Sequence, residues 1–380
     1  MRLIHLSDLH IGKRVNEFSM LEDQKYILDQ ILGHIERASA DAVIIAGDVY
    51  DKPIPPAEAV TLFDSFLTRL STLGVETFII SGNHDSSERL SFGARLFESS
   101  GIHLSSTYTG SLEPVVFRDE WGEVAFYSLP FMKPSEVSRY TEREITDYTD
   151  AVREAISTAV IDPTRRNVII AHQFVTGALR TESEQITVGG CDNVDASIFA
   201  DFDYTALGHI HRAQSMTAPN IRYSGTPLKY SFSESHDEKS VSVVTLYEKG
   251  RVEIETLPLI PLHDMVELKG SYSELMSRDF YEGTTLRDDY THITLTDEED
   301  VPDAIGRLRI IYRGLMRLDY DNTRTRSVAV LTDVSEEKIE SPIELFSDFY
   351  TRQNGREMSK EQLEFTESLI DSIWNKEGER

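Results

Sequence analysis

The sequence lacks several features that would place it in a specialised class of protein. It contains a single cysteine, Cys191, among 380 residues, so an internal disulfide framework is excluded, and we interpret Cys191 as a small free thiol rather than a nucleophile. No apolar run approaches the roughly 20 residues that a membrane-spanning helix needs. The first residues show no charged prefix followed by a long apolar stretch, so no signal peptide is predicted. We therefore expect a reduced, cytoplasmic setting without a membrane partner.

Positive charge is also scarce. The chain has 38 Lys and Arg residues against 65 Asp and Glu residues, which gives a formal net charge of -27. Neutralisation of phosphates by Lys and Arg normally supplies most of the non-specific affinity for nucleic acid, so this balance counts against a DNA-binding surface. It does not exclude one, because metal ions or a basic partner chain can restore positive charge locally.

From residue 1 to about residue 260, the pattern is typical of an α/β fold. Short runs of β-branched residues alternate with stretches whose apolar residues recur at helical spacing. One helical stripe covers residues 27–35, and another runs from Val60 to Leu70 and stops at Gly74. Buried strands are predicted at Leu3–Leu6, Ala42–Ala46, Thr77–Ile80, Ala125–Leu129, Val168–Ala171 and Thr205–Leu207.

The large first domain is predicted to span residues 1–262. It ends in a hairpin whose strands are Val241–Leu246 and Val252–Leu257. The pattern then changes around Pro258 and Pro261, and this change predicts a domain boundary.

Two smaller parts are predicted to follow. Residues 263–328 alternate strand and helix, including a helix over Ala304–Tyr312, which is enough for a small α/β domain. Residues 335–380 are predicted to form a helical, acidic tail, in which Ser359 and Gln362 have the spacing of a capping box.

The most informative feature is a set of polar residues that follow the predicted strands. Because ligands of an open α/β sheet bind beyond the carboxyl ends of its strands, we expect these side chains to meet at one place. In strand order, they are Asp8 and His10, then Asp48, then Asn83 and His84, then His172, and finally His209 and His211.

The chemistry of this set indicates a metal centre. Oxygen and imidazole donors without thiolate suit Mn, Fe, Zn or Mg. The candidate ligands are the seven residues of the set other than His84, and seven donors exceed the needs of one ion. Two ions about 3.5 to 4 Å apart that share a carboxylate would use them all and would favour in-line displacement at phosphorus. Asp48, alone on its strand end, is the expected bridge, and the neighbouring Gly47, Gly82 and Gly208 allow the backbone to approach closely.

These blocks, in this order, resemble the calcineurin-like metallophosphoesterase superfamily. The resemblance covers about the first 260 residues and implies a two-layer β-sandwich flanked by helices, with two metals at the strand ends. His84 is similar to the general acid of that family, and Asp85 is then expected to orient it. The resemblance places Asp8, His10, Asp48 and His211 on the first ion, and Asp48, Asn83, His172 and His209 on the second.

Four further motifs point to a narrower family. They are Ile4 to Gly12, Gly189-Gly190-Cys191-Asp192-Asn193-Val194-Asp195, Tyr223-Ser224-Gly225-Thr226-Pro227 and Leu257 to Leu262. With these motifs, the chain resembles the SbcD family of bacterial nuclease subunits over essentially its whole length. The resemblance implies a Mn-dependent 3' to 5' exonuclease and endonuclease that acts on DNA ends and hairpins, as the counterpart of the archaeal and eukaryotic double-strand-break repair nuclease.

The same resemblance implies partners and roles for the remaining parts. The expected partners are DNA and an SMC-like ATPase subunit, SbcC, with the small domain helping to position DNA and the tail binding the ATPase. A homodimer is expected through helices near 57–73 and 87–99, although core packing is an equally good explanation of the first helix. Archaeal relatives carry a second catalytic histidine where this chain has Tyr50 and Asp51, so that contribution is absent.

Two other hypotheses stay open. A small-substrate phosphatase or cyclic nucleotide phosphodiesterase could use the same metal site, and the acidic charge favours it, but it has no need of the C-terminal parts. A non-catalytic scaffold is the third hypothesis. Such a scaffold would be marked by missing ligands, whereas every predicted ligand position is filled here.

Overall fold

The computed structural model describes residues 1–184, 192–323 and 358–377, with residues 325, 343, 346–347 and 350–351, and it describes side chains up to residue 370. Cys191 and most of the predicted tail before residue 358 lie outside the described residues. The chain divides into two units. Unit 1 contains Met1–Val266 and Asp288–Thr291, and unit 2 contains Glu267–Arg287 and His292–Arg380.

The strands of both units are short and mostly buried. In chain order they are β1 (Arg2–Leu6), β2 (Arg14–Val15), β3 (Phe18–Ser19), β4 (Ala42–Ala46), β5 (Glu76–Ile80), β6 (Ile102–Ser105), β7 (Val115–Asp119), β8 (Gly122–Leu129), β9 (Arg166–His172), β10 (Phe174–Val175), β11 (Asn193–Val194), β12 (Tyr204–Gly208), β13 (Gln214–Ser215), β14 (Ile221–Tyr223), β15 (Ser240–Leu246), β16 (Val252–Pro258), β17 (Met265–Gly270), β18 (Tyr290–Leu295) and β19 (Gly314–Tyr320).

Helices alternate with these strands. They are α1 (Leu21–Ala38), α2 (Ala57–Leu73), α3 (Ser87–Leu90), α4 (Ala94–Phe97), α5 (Pro134–Val137), α6 (Tyr148–Ser157), α7 (Tyr272–Leu275), α8 (Arg278–Tyr281), α9 (Ala304–Leu308) and α10 (Lys360–Glu377). Short 3-10 turns cover Glu98–Ser100, Ala196–Phe199 and Phe232–Glu234. None of the helices in the described part of the chain combines the length and apolar character needed to span a lipid bilayer.

Two six-stranded mixed sheets form the frame of unit 1. The first has the order β16-β15-β1-β4-β5-β6, and the second has the order β13-β14-β12-β9-β8-β7. The neighbours β1, β4, β5 and β6 are parallel, as are β8, β9, β12 and β14. The structure contains the predicted antiparallel hairpin as β15 and β16, and β15 pairs with β1.

One hydrophobic core lies between the two sheets. Leu3, Ile44 and Phe78 of the first sheet belong to the same buried cluster as Phe126 and Ile170 of the second. The Phe78 and Phe126 rings stack with their centroids 4.3 Å apart. Burial of each such side chain stabilises the fold by about 1.5 to 3 kcal/mol. The predicted α/β fold, a two-layer β-sandwich with flanking helices, is therefore confirmed.

The two longest helices of unit 1 pack together, and α2 also contacts β5. Both follow from the apolar stripes in the sequence, because α1 buries its residues from Ile27 to Ile35 at helical spacing and α2 buries Phe63, Phe66, Leu67 and Leu70. On the second sheet, α6 packs through Ala151, Val152 and Ala155.

Some local predictions are wrong in detail. Val60 is 45% exposed, so the buried stripe of α2 starts at Ala59 instead. The helical region predicted near 87–99 is divided into α3 and α4, because Gly93 adopts a φ of 79° between them. The helix expected over Ala304–Tyr312 ends at Leu308, and the N–H groups of Ile310 and Ile311 then bond three residues back, to the Arg307 and Leu308 carbonyls.

Unit 2 has its own core around the sheet β17-β18-β19. Leu275, Ile293, Leu308 and Leu315 are among its buried residues. The capping box predicted from Ser359 and Gln362 is confirmed at the start of α10. The Ser359 N–H donates to Gln362 Oε1 at 2.9 Å, and the Gln362 N–H donates to Ser359 Oγ at 3.3 Å. The residue pattern therefore fixes where this helix begins.

Candidate metal centre

The parallel strands of both sheets deliver polar side chains to one edge of the sandwich. β1, β4 and β5 are neighbours in the first sheet, and β9 and β12 are neighbours in the second. Ligand-binding residues of α/β sheets collect beyond such strand ends. The structure brings together all seven residues predicted as metal ligands, which are Asp8 and His10 after β1, Asp48 after β4, Asn83 after β5, His172 at the end of β9, and His209 and His211 after β12.

The backbone at this edge adopts conformations that are unfavourable for most residues. Among the described residues, eight that are not glycine have a positive φ, and four of them are predicted ligands. Their φ angles are 52° at Asp8, 45° at His10, 49° at Asp48 and 100° at His209. Such conformations cost of order 1–3 kcal/mol each and concentrate at functional sites, because the surrounding structure must enforce them.

Three glycines leave no room for a side chain beside the ligands. A Cβ atom at Gly47 would lie 2.3 Å from His172 Nδ1. A Cβ atom at Gly82 would lie 2.1 Å from Asp48 Oδ1. At Gly208, a Cβ would lie 1.9 Å from the Ala46 carbonyl oxygen and 2.8 Å from His172 Nδ1. The close approach predicted from the Gly-Asp, Gly-Asn and Gly-His pairs is therefore a steric requirement of the packed site.

Around the end of β1, the donor atoms form a first group. His10 Nε2 and His211 Nε2 lie 3.1 Å apart, and His10 Nε2 lies 3.7 Å from Asp48 Oδ2. Asp8, His10 and His211 each offer a donor atom, and these atoms lie within 4.8 Å of one another. Both imidazoles are buried.

A second group lies around Asn83. Its Oδ1 is 3.0 Å from His172 Nε2 and 2.9 Å from His209 Nδ1. His172 Nε2 is also 3.4 Å from Asp48 Oδ2. The same carboxylate oxygen of Asp48 thus lies between the two groups, where a bridging ligand would have to be.

The hydrogen bonds of His172 show that the site suits a cation. His172 Nδ1 lies 2.8 Å from the Ala46 carbonyl oxygen, which can only accept, so Nδ1 carries a proton. In the neutral ring, Nε2 then presents a lone pair toward Asp48 Oδ2 and Asn83 Oδ1, both of which are acceptors. With no ion bound, a second proton on Nε2 relieves this repulsion, in keeping with the raised pKa of His172. A divalent cation can take the place of that proton, and the mixed oxygen and nitrogen donors fit Mn, Fe, Zn or Mg.

Burial and neighbouring charges shift the pKa values of the predicted ligands strongly. Burial raises the pKa of Asp8 to about 7, despite the opposing effect of His172. Burial alone would raise the pKa of Asp48 and lower that of His172. Their mutual attraction instead holds the Asp48 pKa well below its usual range and raises the pKa of His172 to about 9. Burial lowers the pKa values of the remaining imidazoles, which are His10, His209 and His211.

His84 and Asp85 do not act on one another as the sequence suggested. The carboxylate of Asp85 accepts backbone N–H groups from Val49, Tyr50 and Gly82 at 2.9–3.1 Å, so it ties the loops after β4 and β5 together. The ring of His84 is held by a different group, since its Nδ1 lies 3.0 Å from the carbonyl oxygen of Asp51. The expectation that Asp85 orients His84 is therefore corrected.

A cleft of about 410 Å³ opens beside the ligand cluster. Its lining residues are Lys13, Asp51, Lys52, Pro53, Asn83, His84 and Ser183. Sequence reasoning missed Asp51 and Ser183 as site residues. Asp51 also pairs with Lys13, whose Nζ is 2.8 Å from Asp51 Oδ1, and Ser183 Oγ lies 2.6 Å from His211 Nδ1. Only the position of Asp51 shortly after Asp48 could have signalled its role.

Comparisons with known proteins agree with this geometry. A family model described as calcineurin-like phosphoesterase matches residues 1–213. A second model, described as type 5 capsule protein repressor C-terminal domain, matches residues 261–354. The SbcD subunit of nuclease SbcCD from Staphylococcus epidermidis is 30% identical over 386 aligned positions, which cover 100% of both chains.

Solved structures show more distant likenesses. A novel archaeal phosphodiesterase is 12% identical, with a TM-score of 0.31, and the match covers 68% of this chain and 100% of that chain. A protein of Thermus thermophilus is 11% identical, with a TM-score of 0.39, and the match covers 67% of this chain and 98% of that chain. Likenesses at this level carry no argument about activity.

The assignment of the chain therefore depends on its sequence relatives and on the donor cluster. The calcineurin-like phosphoesterase model covers more than half of the chain, and the full-length relative is a nuclease subunit. That fold binds divalent metal, and the structure supplies a buried cluster of Asp and His donors at the corresponding strand ends. The chain belongs to the calcineurin-like phosphoesterase family and, within it, to the SbcD family of nuclease subunits, and it is a metal-dependent phosphodiesterase.

Proposed function

We propose that this chain is the nuclease subunit of an ATPase–nuclease complex in DNA repair and recombination. The proposed activity is Mn-dependent 3' to 5' exonuclease and endonuclease cleavage at DNA ends and hairpins. The observation that carries this proposal is the position of Asp48 Oδ2, which lies 3.7 Å from His10 Nε2 and 3.4 Å from His172 Nε2, between two groups of donors. A carboxylate in this position would be shared by two ions, which would supply the charge stabilisation that phosphodiester hydrolysis needs.

The proposed ligand sets follow the two groups of donors. When bound, the ions supply Lewis-acid activation of water and of the phosphoryl oxygen. The rigid strand ends hold the donors in place, so little reorganisation is needed on binding. The first set is Asp8, His10, Asp48 and His211, and the second is Asp48, Asn83, His172 and His209.

His84 is proposed as the general acid at the leaving oxygen. It lines the cleft, and its ring centroid is 4.8 Å from that of His10, so it borders the donor cluster. Because Nδ1–H donates to the Asp51 carbonyl, the transferable proton would be the one on Nε2 of the doubly protonated ring. The Asp51 carbonyl fixes the ring orientation, whereas Asp85 fixes the loops that carry Asp48 and His84.

The cleft offers a local exception to the acidic balance of the chain. Lys13 and Lys52 line it beside His84 and Asp51, whose carboxylate pairs with Lys13, in a protein whose formal net charge is -27. Together with two divalent ions, these side chains would give the phosphate groups of DNA a positive surface. Elsewhere the acidic surface opposes DNA, so we propose that the ATPase subunit SbcC supplies further basic contacts.

The other parts of the chain are given roles by the same proposal. Residues 1–262 are proposed as the nuclease domain, residues 263–328 as a domain that positions DNA, and residues 335–380 as the tail that binds SbcC. We also propose a homodimer through helices near 57–73 and 87–99, and action in the cytoplasm.

An assay on labelled DNA tests this function directly. Purified chain, alone and with its ATPase partner, is given Mn²⁺ and end-labelled duplex or hairpin DNA, and Asp48→Ala serves as the site-deficient control. The proposal predicts metal-dependent shortening from 3' ends and hairpin opening by the wild type only. Hydrolysis confined to small phosphate esters or cyclic nucleotides would favour the phosphatase hypothesis instead.

A further inference from the structure

We propose that Ser183, Glu234 and Lys239 form a buried relay that fixes the tautomer of His211 and thereby aims its Nε2 into the metal centre. The proposal rests on the proposed role of His211 as a metal ligand and adds positioning residues that lie outside the predicted ligand set. Its first element is Ser183, whose Oγ lies 2.6 Å from His211 Nδ1 and 2.5 Å from Glu234 Oε1. The serine therefore connects an imidazole to a carboxylate.

The serine is needed for this connection because the carboxylate does not reach the ring itself. Glu234 Oε1 is 4.0 Å from His211 Nδ1, which is too long for a hydrogen bond. Glu234 is fully buried, and its other oxygen, Oε2, lies 2.5 Å from Lys239 Nζ. Lys239 Nζ can only donate, so this contact is an ion pair in which the Glu234 carboxylate accepts at Oε2.

The direction of every hydrogen bond in the relay follows from the ionised carboxylate. Glu234 can only accept, so the Ser183 hydroxyl must donate to it. The Ser183 oxygen is then free to accept, and His211 Nδ1–H donates a hydrogen bond to it. The Thr181 hydroxyl, 2.8 Å from the same oxygen, can donate to the second lone pair. His211 is therefore the Nδ1–H tautomer, with a lone pair on Nε2.

That lone pair points where a ligand is needed. His211 Nε2 lies 3.1 Å from His10 Nε2, on the side of the ring opposite Ser183. The backbone of His211 is held by the same region, because its N–H donates to Glu184 Oε1 at 2.7 Å and its carbonyl accepts from Lys239 Nζ at 3.1 Å. Lys239 thus supports both the carboxylate of the relay and the main chain of the ligand.

The relay predicts distinct effects for three substitutions at two of its residues. Ser183→Ala leaves Nδ1 without its acceptor, so the Nε2–H tautomer becomes populated and Mn²⁺ affinity falls by roughly 10- to 100-fold, the range seen when partners of metal-binding histidines are removed. Ser183→Thr keeps the hydroxyl and should restore most of that affinity. Glu234→Gln introduces a donor next to Ser183 and should also weaken binding.

The experiment measures metal binding and tautomer rather than DNA cleavage. Mn²⁺ titration calorimetry is run on the wild type, Ser183→Ala, Ser183→Thr and Glu234→Gln. The matched control is Ser233→Ala, whose Oγ accepts from the Glu182 N–H and is not among the groups that hold His211. Nitrogen NMR of the metal-stripped proteins then assigns the proton of His211 to Nδ1 or Nε2, and thermal melting verifies that each variant is folded.

The expected result is weaker Mn²⁺ binding and a mixed tautomer in folded Ser183→Ala, with rescue in Ser183→Thr and no change in Ser233→Ala. Wild-type affinity together with an unchanged Nδ1–H signal in folded Ser183→Ala would overturn the relay while leaving the proposed function intact. Absence of Mn²⁺ binding by the wild type would instead overturn the proposed function. If Glu234→Gln fails to fold, the Ser183 pair still decides the question.

Discussion

At the scale of single residues, one carboxylate oxygen holds a central place in the proposed mechanism. Asp48 Oδ2 lies within 3.7 Å of imidazole nitrogens from both groups of ligands, and Asp48 itself sits at a strained φ of 49°. Strain of this kind persists only where surrounding contacts enforce it. Here the enforcing contact includes the His84 N–H, which donates to Asp48 Oδ1 at 2.8 Å. The proposed bridging residue, Asp48, and the proposed general acid, His84, are therefore joined by a hydrogen bond.

The role of His84 is tested by His84→Ala. Loss of a general acid should lower the rate of DNA cleavage by about 10²- to 10⁴-fold. Metal content, measured by mass spectrometry of the loaded protein, should be unchanged because His84 is not in either ligand set. His34→Ala, at a half-buried histidine bonded to the Pro258 carbonyl, is the control and should keep full activity. Loss of bound metal in His84→Ala would mean that its role is misassigned.

Metal affinity should depend on pH in one direction. The pKa of Asp8 is raised to about 7 by burial, and that of His172 to about 9 by Asp48 against the effect of burial. Both groups must lose a proton before they can bind an ion, so protons compete with Mn²⁺. Affinity should rise from about pH 6 to about pH 9, with proton release detected by calorimetry in buffers of different protonation enthalpy. Affinity that is flat or falls over this range would contradict the account.

The sequence predicted the candidate ligands, but it did not predict the residues that hold those ligands in position. The ligands were predictable because each follows a strand whose buried run is visible in the chain, and parallel strands end at one edge. Ser183 and Glu234 are 51 positions apart and meet through loops, so no local pattern marks their contact. The partner of His84 was predicted wrongly for the same reason, since the backbone carbonyl of Asp51 carries no residue-specific signal.

At the scale of elements, the ends of α1 and α2 offer a matched comparison. Each helix ends in a left-handed residue, with a φ of 48° at Ser39 and of 70° at Gly74. Glycine adopts this conformation freely, whereas a residue with a Cβ is penalised by about 1 kcal/mol.

Substitutions at these two C-terminal caps should change the free energy of unfolding in opposite directions. Gly74→Ala should lower the free energy of unfolding by about 1 kcal/mol, because the added Cβ has open space around it and only backbone strain acts. Ser39→Gly should raise it by roughly 0.5 kcal/mol, since the entropy of the glycine in the unfolded chain offsets part of the gain. Thermal melting of the full chain measures both, and stabilisation by Gly74→Ala would refute the argument.

The short helices after β5 carry the proposed dimer contact. Phe92 is 84% exposed and Leu96 is 77% exposed, which is unusual for side chains of this size and leaves them available to a second copy. Leu96→Asp should therefore shift the chain toward monomer in light-scattering measurements, while Val160→Asp, at a residue that is 87% exposed elsewhere, should not. An unchanged mass for Leu96→Asp would remove this face from the proposal.

The elements show why some boundaries were predictable and others were not. Ala42–Ala46 was placed correctly because a fully buried apolar run of this length is distinctive. The division near Gly93 depends on a single left-handed residue, and the end of α9 depends on a change in hydrogen-bond spacing, so neither leaves a clear periodic signal.

At the scale of the whole molecule, the net charge of the chain and the proposed metal centre have opposite effects on DNA. A formal net charge of -27 repels DNA at long range, whereas the cleft presents Lys52, the Lys13–Asp51 pair and the proposed cations at short range. Activity should therefore depend on filling both ion sites, because the cations supply both the chemistry and much of the local attraction for phosphate.

The rate of DNA hydrolysis as a function of Mn²⁺ bound per chain tests the central claim most directly. The chain is stripped of metal, titrated with Mn²⁺, and assayed at each occupancy on end-labelled duplex. The account predicts two bound ions per chain, with cleavage that rises as the second ion binds and with both ions lost in Asp48→Ala. Full cleavage with one ion bound, or two ions still bound in Asp48→Ala, would contradict it.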